Sequence, residues 1–235
     1  LDSVAAMIEA MRSEQIHVGH FNGGAVPFAV NIAGGRPLAM GLFGEGDGNV
    51  DPWGYRMYTI TQMSNEEINT VEDLAGKTVA HTGQNSNSGH LAPQVFLPEA
   101  GGIVPGEDYE IEFSGGHDNS LRAIPLGDYD AANIASPVVN RMQESGEIKY
   151  DDYKVVYASK LMPTLGTPAV YRYNLDSDIV DGVRRAYLEY DYSGTNIEKE
   201  MGINYFREFP DYATVADVFL RIHEQTGRDY EIGDV

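Results

Sequence analysis

The run Gln84-Asn85-Ser86-Asn87-Ser88-Gly89-His90 packs three amides, two hydroxyls and an imidazole between the strand-like segment KTVAHTG and the helix-like segment LAPQVFLPEAG. A helix N-terminus leaves several N–H groups unpaired and carries about half a positive charge, and Ser or Asn side chains there add neutral donors. Such an end can hold an oxyanion. Ser and Asn are also the commonest helix caps, so the stretch alone is equally consistent with a capped polar loop. A second polar junction, Phe113-Ser114-Gly115-Gly116-His117-Asp118-Asn119-Ser120, again joins a strand pattern to a helix pattern. There His117 and Asp118 could exchange hydrogen bonds with a ligand, or Asp118 could cap a helix starting near Asn119. A third, His20-Phe21-Asn22-Gly23-Gly24, follows a strand and leads into an apolar helix, as a ligand loop or as a turn that Gly permits. Trp53, Tyr55 and Tyr58 cluster at a loop-to-strand boundary, where a tyrosine hydroxyl could reach a ligand or be merely half buried.

Catalytic chemistry finds less support. Six histidines are present, but none sits in HExxH or an equivalent metal spacing, and His17 and His20 flank a strand and point to different faces. GxSxG, Walker GxxxxGK[ST] and a GxGxxG after a strand are all missing, and Gly44-Glu45-Gly46-Asp47-Gly48 reads as a turn. No cofactor or metal is therefore expected. The His117/Asp118 pair could act as acid and base on a small substrate, but no nucleophile accompanies it.

Composition narrows the partners. The 235 residues carry 16 Lys+Arg against 36 Asp+Glu, a formal charge of -20, which repels nucleic acid and anionic lipid. Any anion site must be local, built from backbone N–H groups and hydroxyls. Without Cys there are no disulfides, thiolate metal sites or thiol nucleophiles. The hydrophobic fraction of 42% is that of a globular protein. No apolar run approaches the roughly 18 residues of a membrane span, which predicts a soluble chain or the mature portion of one.

These junctions need elements to hold them. Val4, Met7, Ile8 and Met11 fall at helical spacing behind Asp2/Ser3, and an IHVGH strand follows. GRPLAMGLF and YRMYTIT read as strands on either side of the long turn GEGDGNVDPWG. Thr70 with Asp73 resembles a capping box for a single helical turn that Gly76 closes in a left-handed conformation. From KTVAHTG to YKVVYAS strand and helix patterns alternate, which predicts an α/β fold with a mainly parallel sheet. Two longer helices, DSDIVDGVRRAYLEYD and TVADVFLRIHEQTG, end the chain, the second with Val215, Val218, Phe219 and Ile222 on one face. In a parallel α/β sheet ligands bind at the carboxyl ends of strands, which is where QNSNSGH and SGGHDNS stand.

Taken in order, IEAMRSEQIHVGHF, DLAGKTVAHTGQNSNSGHLAP, FSGGHDNSLRAIPLGDYDAANI and VVYASKLMPTLGTPAVYRYNL resemble the phosphonate/phosphite/phosphate-binding family of extracytoplasmic solute-binding proteins of ABC transporters. The resemblance covers nearly the whole chain. It implies a type II periplasmic-binding fold of two α/β lobes around a central cleft, lobe 1 at 1–58 and 165–235 and lobe 2 at 59–164. The crossing strands would run near Tyr55 to Thr61 and Val155 to Tyr171. It places Ser86 and Ser88 as hydroxyl donors to a phosphorus oxyanion, and the N–H groups from Asn87 to Gly89 as its cradle, with Asn87 where the family usually has Thr. Tyr55 falls on an aromatic that binds or covers the oxyanion, and His117 and Asp118 on a pair that contacts the ligand. Phe21, beside Asn22, stands where a Tyr is common, and Ala135 where many relatives carry an Asp that recognises an amine or a protonated oxygen. Relatives begin with a strand, helix and strand before the helix that opens this chain, about 50 or more residues of the first lobe, so either the sequence starts inside that lobe or the lobe is built differently here.

The implied function is capture of phosphonate, phosphite or phosphate for ABC-transporter uptake by a monomer, periplasmic or otherwise extracytoplasmic and with room for a lipid anchor, with a membrane permease as partner and no catalysis. Two alternatives stand beside it: a sensor reporting an oxyanion such as arsenite or phosphate to a membrane kinase, and a small-molecule enzyme using His117/Asp118.

Overall fold

The computed structural model describes residues 4–43, 55–162, 168–201, 203–209 and 212–226. In chain order the elements are α1 (Val4–Arg12), β1 (Val18–His20), α2 (Val26–Ala33), β2 (Gly35–Phe43), β3 (Met57–Gln62), β4 (Thr78–His81), α3 (Pro93–Gly101), β5 (Glu110–Phe113), α4 (His117–Ala123), β6 (Ala131–Ala135), α5 (Ser136–Glu144), β7 (Tyr153–Ala158), β8 (Ala169–Arg172), α6 (Ser177–Leu188), α7 (Asn196–Met201), β9 (Ile203–Glu208) and α8 (Tyr212–Thr226). The Asp2/Ser3 cap, the turn from Gly44 to Gly54 with Trp53, and residues 163–167 of the second crossing segment lie outside the described residues.

The chain divides into two compact units, residues 1–54 with 163–235 and residues 55–162. In the first, a four-stranded sheet runs β1-β8-β2-β9, and every pairing in it is antiparallel. The parallel sheet expected from the alternation between KTVAHTG and YKVVYAS concerns the second unit. The strict strand-helix alternation that generates parallel neighbours holds only between β4 and β6. One apolar cluster brings Ile8 and Met11 of α1 against Phe21, Val26, Phe28, Ala29 and Val170. Another joins Leu38, Ala39, Ala169, Ile203 and Phe206, with Val183, Tyr187 and Leu188 of α6 packed on it. Strand β9 and helix α7 were not anticipated from the sequence. A register shift opposite Leu42/Phe43 lets Ile203 and Phe206, three residues apart, both be buried, which hides the strand's two-residue period. In α8 the expected apolar face includes Val218 and Ile222, both buried.

The second unit is a five-stranded sheet ordered β5-β4-β6-β3-β7. Its β5-β4-β6 part is parallel, and β3 lies antiparallel between β6 and β7. Strand β6, Ala-Ala-Asn-Ile-Ala, is buried at every position. Its small side chains let α4 and the turn before α3 approach the sheet closely. The edge strand β5 exposes Glu110 and Glu112, charges that discourage pairing with another chain. The single turn Glu72–Leu74 forms where expected and Gly76 is left-handed at φ 73°. Asp73 accepts from the N–H of Thr70 at 2.9 Å, the acid's half of the box, whereas no side chain caps the turn's start.

Candidate functional site

The two polar junctions of the second unit meet at the carboxyl ends of its parallel strands. After β4 the chain turns into a π-helical turn, Asn87–Leu91, before α3 begins at Pro93. The expected single helix over SGHLAPQVFLPEAG is thus two pieces. The wide turn has a local cause: Leu91 N–H donates to Ser86 O at 3.0 Å and Ala92 N–H to Asn87 O at 2.7 Å, each spanning five residues. Ser86 caps it in an extended conformation, its hydroxyl accepting from Gly89 N–H at 3.2 Å.

Gly89 is required by close approach. A Cβ added there would lie 2.0 Å from Thr82 Oγ1, 2.7 Å from Thr82 Cγ2 and 2.8 Å from Ser86 Oγ. Thr82 itself is buried and its Oγ1 has no hydrogen-bond partner. The turn therefore lies directly on the residue that leaves β4, at a distance only a glycine allows.

His117, the first residue of α4, closes the other side. Its Nδ1 accepts from Ala135 N–H at 3.3 Å. Burial drives its pKa down from 6.5 to about 4, against the opposing pull of Asp118. The ring is therefore neutral near pH 7 with its proton on Nε2, facing Ser86 Oγ and Ser88 Oγ, each at 3.4 Å. Both contacts are long, so neither consumes the donor fully.

Tyr55 completes the group. It is held by a backbone pair with Met162, Tyr55 N–H to Met162 O at 3.0 Å and Met162 N–H to Tyr55 O at 2.8 Å. Its hydroxyl oxygen accepts from Asn87 Nδ2 at 3.2 Å. Burial raises the pKa of the phenol, so it stays protonated and its own O–H remains to be donated. The phenol oxygen sits at the Asn87 amide, beside Ser88. That is the position an anion oxygen would share or take. Among the described residues no carboxylate joins this donor set: Asp118 pairs with Arg141 of α5 at 2.6 Å, and both side chains are exposed. Asp118 does not cap α4 either, since the helix starts at His117 with no side-chain cap.

The other two sequence candidates belong to the first unit. Phe21 is fully buried in the core with Ile8 and Met11, and its N–H donates to Pro168 O at 3.0 Å. Its side chain is a packing element with no face open to a ligand, which corrects its place among the expected ligand-binding residues. Asn22 caps the turn before α2, its Oδ1 accepting from Ala25 N–H at 3.0 Å.

Residues 1–212 match the family described as ABC transporter, phosphonate, periplasmic substrate-binding protein. The chain belongs to that family. It is 27% identical over 195 residues to the phosphate-import protein PhnD of Mycolicibacterium smegmatis, across 79% of this chain and 58% of that one. A binding-protein component of an ABC phosphonate transporter from Pseudomonas aeruginosa is similar in structure with a TM-score of 0.80 at 19% identity, covering 99% of this chain and 78% of its own. PhnD1 from Prochlorococcus marinus in complex with methylphosphonate gives 0.74 at 14% identity, with 97% and 84% covered. These likenesses show a type II periplasmic-binding fold. The chain spans little more than half the length of the curated relatives it matches.

Within this phosphonate-family fold the sequence left several supporting residues unseen. Thr59, His81, Tyr109 and Asn133 form a buried polar group behind the turn. A signal for two of them was present: His81 interrupts the apolar strand KTVAHTG, and Asn133 interrupts AANIA. Buried polar side chains need partners, so each implies another hidden polar group.

Proposed function

We propose that this chain captures a phosphorus oxyanion, phosphonate, phosphite or phosphate, outside the cytoplasm and delivers it to an ABC permease without chemical change. The observation that carries the reading is the makeup of the cradle. Ser86, Ser88, Tyr55, the turn's N–H groups and His117 Nε2–H are all neutral donors, and the neighbouring carboxylate is held by Arg141. Hydrogen bonds from such donors to an ionised oxygen are about twice as strong as neutral ones. A protonated oxygen or an ammonium tail would find hydroxyl oxygens there but no free carboxylate among the described residues. Ala135 reinforces this preference. Its side chain is a methyl at the end of β6, 8% exposed, where an amine-recognising relative would carry a carboxylate. The ligand is thus a fully ionised oxyanion with a small, uncharged substituent, of which the methylphosphonate held by the Prochlorococcus relative is an example.

The protein acts as a monomer in the periplasm or tethered to the membrane by a lipid, with lobes at 1–58 with 165–235 and at 59–164. Capture needs no nucleophile, and His117, neutral and wedged between two hydroxyls, serves as a donor. Calorimetric titration of methylphosphonate into the chain and into a Ser86→Ala, Ser88→Ala variant tests the reading. A loss of at least about tenfold is expected, since one charge-assisted hydrogen bond contributes about 1.5–3 kcal/mol. Unchanged affinity would rule the cradle out.

A further inference from the structure

Behind the turn, on the side away from the donors, lies a chain of side-chain hydrogen bonds that capture itself does not use. Thr59 Oγ1 donates to Asn133 Oδ1 at 2.8 Å, and Nδ2 of the same amide faces His81 Nε2 at 3.2 Å. The Tyr109 hydroxyl lies 2.8 Å from the same His81 Nε2. His81 Nδ1 stands 2.9 Å from His90 Nδ1. Thr59, His81 and Asn133 are fully buried and Tyr109 nearly so.

With the Asn133 amide in this orientation the donor directions follow. Asn133 Nδ2 brings only protons, so His81 Nε2 must be the bare, accepting nitrogen, and the Tyr109 O–H can donate to it as well. A neutral His81 then carries its proton on Nδ1 and donates it to His90 Nδ1. Two bare nitrogens would repel at 2.9 Å, as would two protonated ones. His90 is the fourth residue of the turn Asn87–Leu91, and its N–H bonds Ser86 O at 3.0 Å. Its ring is also packed edge-on against His81, with centroids 5.1 Å apart, and tilted against Phe113 at 5.2 Å. Burial and the neighbouring His90 both depress the His81 pKa, to about 3, so the ring stays a neutral relay element at any working pH.

We propose that Thr59, Asn133, Tyr109 and His81 form a one-directional hydrogen-bond relay that positions the anion cradle by clamping the His90 ring, with His81 and His90 as positioning residues for ligand capture. This rests on the reading of the turn as the cradle. The turn makes its backbone bonds at its far end, from His90 and Leu91 N–H to Ser86 O and from Ala92 N–H to Asn87 O, while at its near end the Gly89 N–H goes only to Ser86 Oγ at 3.2 Å. A ring clamped from the sheet side fixes the rotation of the turn about its own axis, and so the direction of its N–H groups. A neutral donor chain does so without adding a charge behind a site that must attract an anion.

The test uses His90→Leu, which keeps the bulk and removes the acceptor, and His90→Asn, whose Oδ1 lies near the Nδ1 position and can accept from His81. Methylphosphonate affinity is measured by calorimetry and the ligand-free thermal midpoint is recorded for each. His90→Leu is expected to bind about tenfold more weakly and His90→Asn within about twofold of the parent. Long-range proton–nitrogen NMR of the ligand-free parent should show His81 protonated at Nδ1 and bare at Nε2, and His90 bare at Nδ1. Should the leucine variant fail to fold, Tyr109→Phe, which removes one donor to His81 and keeps the ring, is expected to lower affinity by a smaller factor. Leucine binding like the parent, while Ser86→Ala, Ser88→Ala still fails, overturns the relay and leaves the cradle standing. A His81 protonated at Nε2 overturns the relay whatever the affinities. If Ser86→Ala, Ser88→Ala also binds like the parent, the cradle itself is wrong and the relay falls with it.

Discussion

Gly89→Ala places one methyl group under the cradle. The new Cβ would stand 2.0 Å from Thr82 Oγ1 where ordinary contacts begin near 3.0 Å, so the turn or Thr82 must move by about 1 Å. Thr82 has little room, being buried at the end of β4 with its N–H bonded to Gly89 O at 3.3 Å. The third contact, at 2.8 Å to Ser86 Oγ, involves the cap hydroxyl itself. Overpacking of this kind costs about 1–3 kcal/mol in stability. The binding loss is separate: a shift of that size lengthens at least one charge-assisted hydrogen bond beyond useful range, about 1.5–3 kcal/mol or roughly ten- to hundredfold in affinity. Calorimetry with methylphosphonate reads the second number and urea unfolding the first. The decisive variant is the double substitution Gly89→Ala, Thr82→Ala, which removes both Thr82 atoms from the clash. The two changes should be strongly non-additive, with the double variant binding more tightly than Gly89→Ala alone. Parent-like binding by the single variant, or no recovery in the double, would refute the argument that the turn is pressed onto Thr82.

Three further outcomes follow from the same geometry. Ala135→Asp sets a carboxylate beside the His117 ring and should weaken methylphosphonate binding by more than about tenfold through like-charge repulsion, measured by calorimetry; stronger binding would show that the site wants an acceptor. Asp118→Asn frees Arg141 and should change affinity less than about twofold and stability by about 0–1 kcal/mol, because the pair is exposed; a large affinity loss would place Asp118 on the ligand. His117 and His81 have folded pKa values near 4 and 3 against an ordinary 6.5. The unfolded chain therefore takes up protons first as pH falls below 6.5, and stability is lost on acidification from there, levelling only below the folded values. Between pH 6 and 5 each imidazole contributes a slope of up to about 1.4 kcal/mol per pH unit, and urea unfolding with no slope in that window would show that the rings are not buried neutral.

What the sequence revealed of this site was the part written in local patterns. Ser86, Ser88 and His117 stand at strand-to-helix junctions, and the alternation between KTVAHTG and AANIA puts those junctions at the same ends of parallel neighbours, so their meeting could be read. The π-helical turn could not, because it depends on Ser86 O accepting from Leu91, a bond with no residue-type signature. Asp118 looked like a ligand group from its place beside His117, but Arg141 reaches it from 23 residues away. Phe21 looked like a site residue from its loop, and its burial was decided by α1 and α2 packing around it. In the first unit the antiparallel sheet escaped because β8 and β9 pair with β2 from more than a hundred residues away, beyond any local period.

The most direct test of the central claim is a crystal structure of the chain grown with saturating methylphosphonate. The account predicts phosphonate oxygens about 2.7–3.1 Å from Ser86 Oγ, Ser88 Oγ, His117 Nε2 and the N–H groups of the turn, with Asp118 still on Arg141. A phosphonate bound elsewhere, or one out of reach of the Ser86, Ser88 and His117 donors, would contradict it.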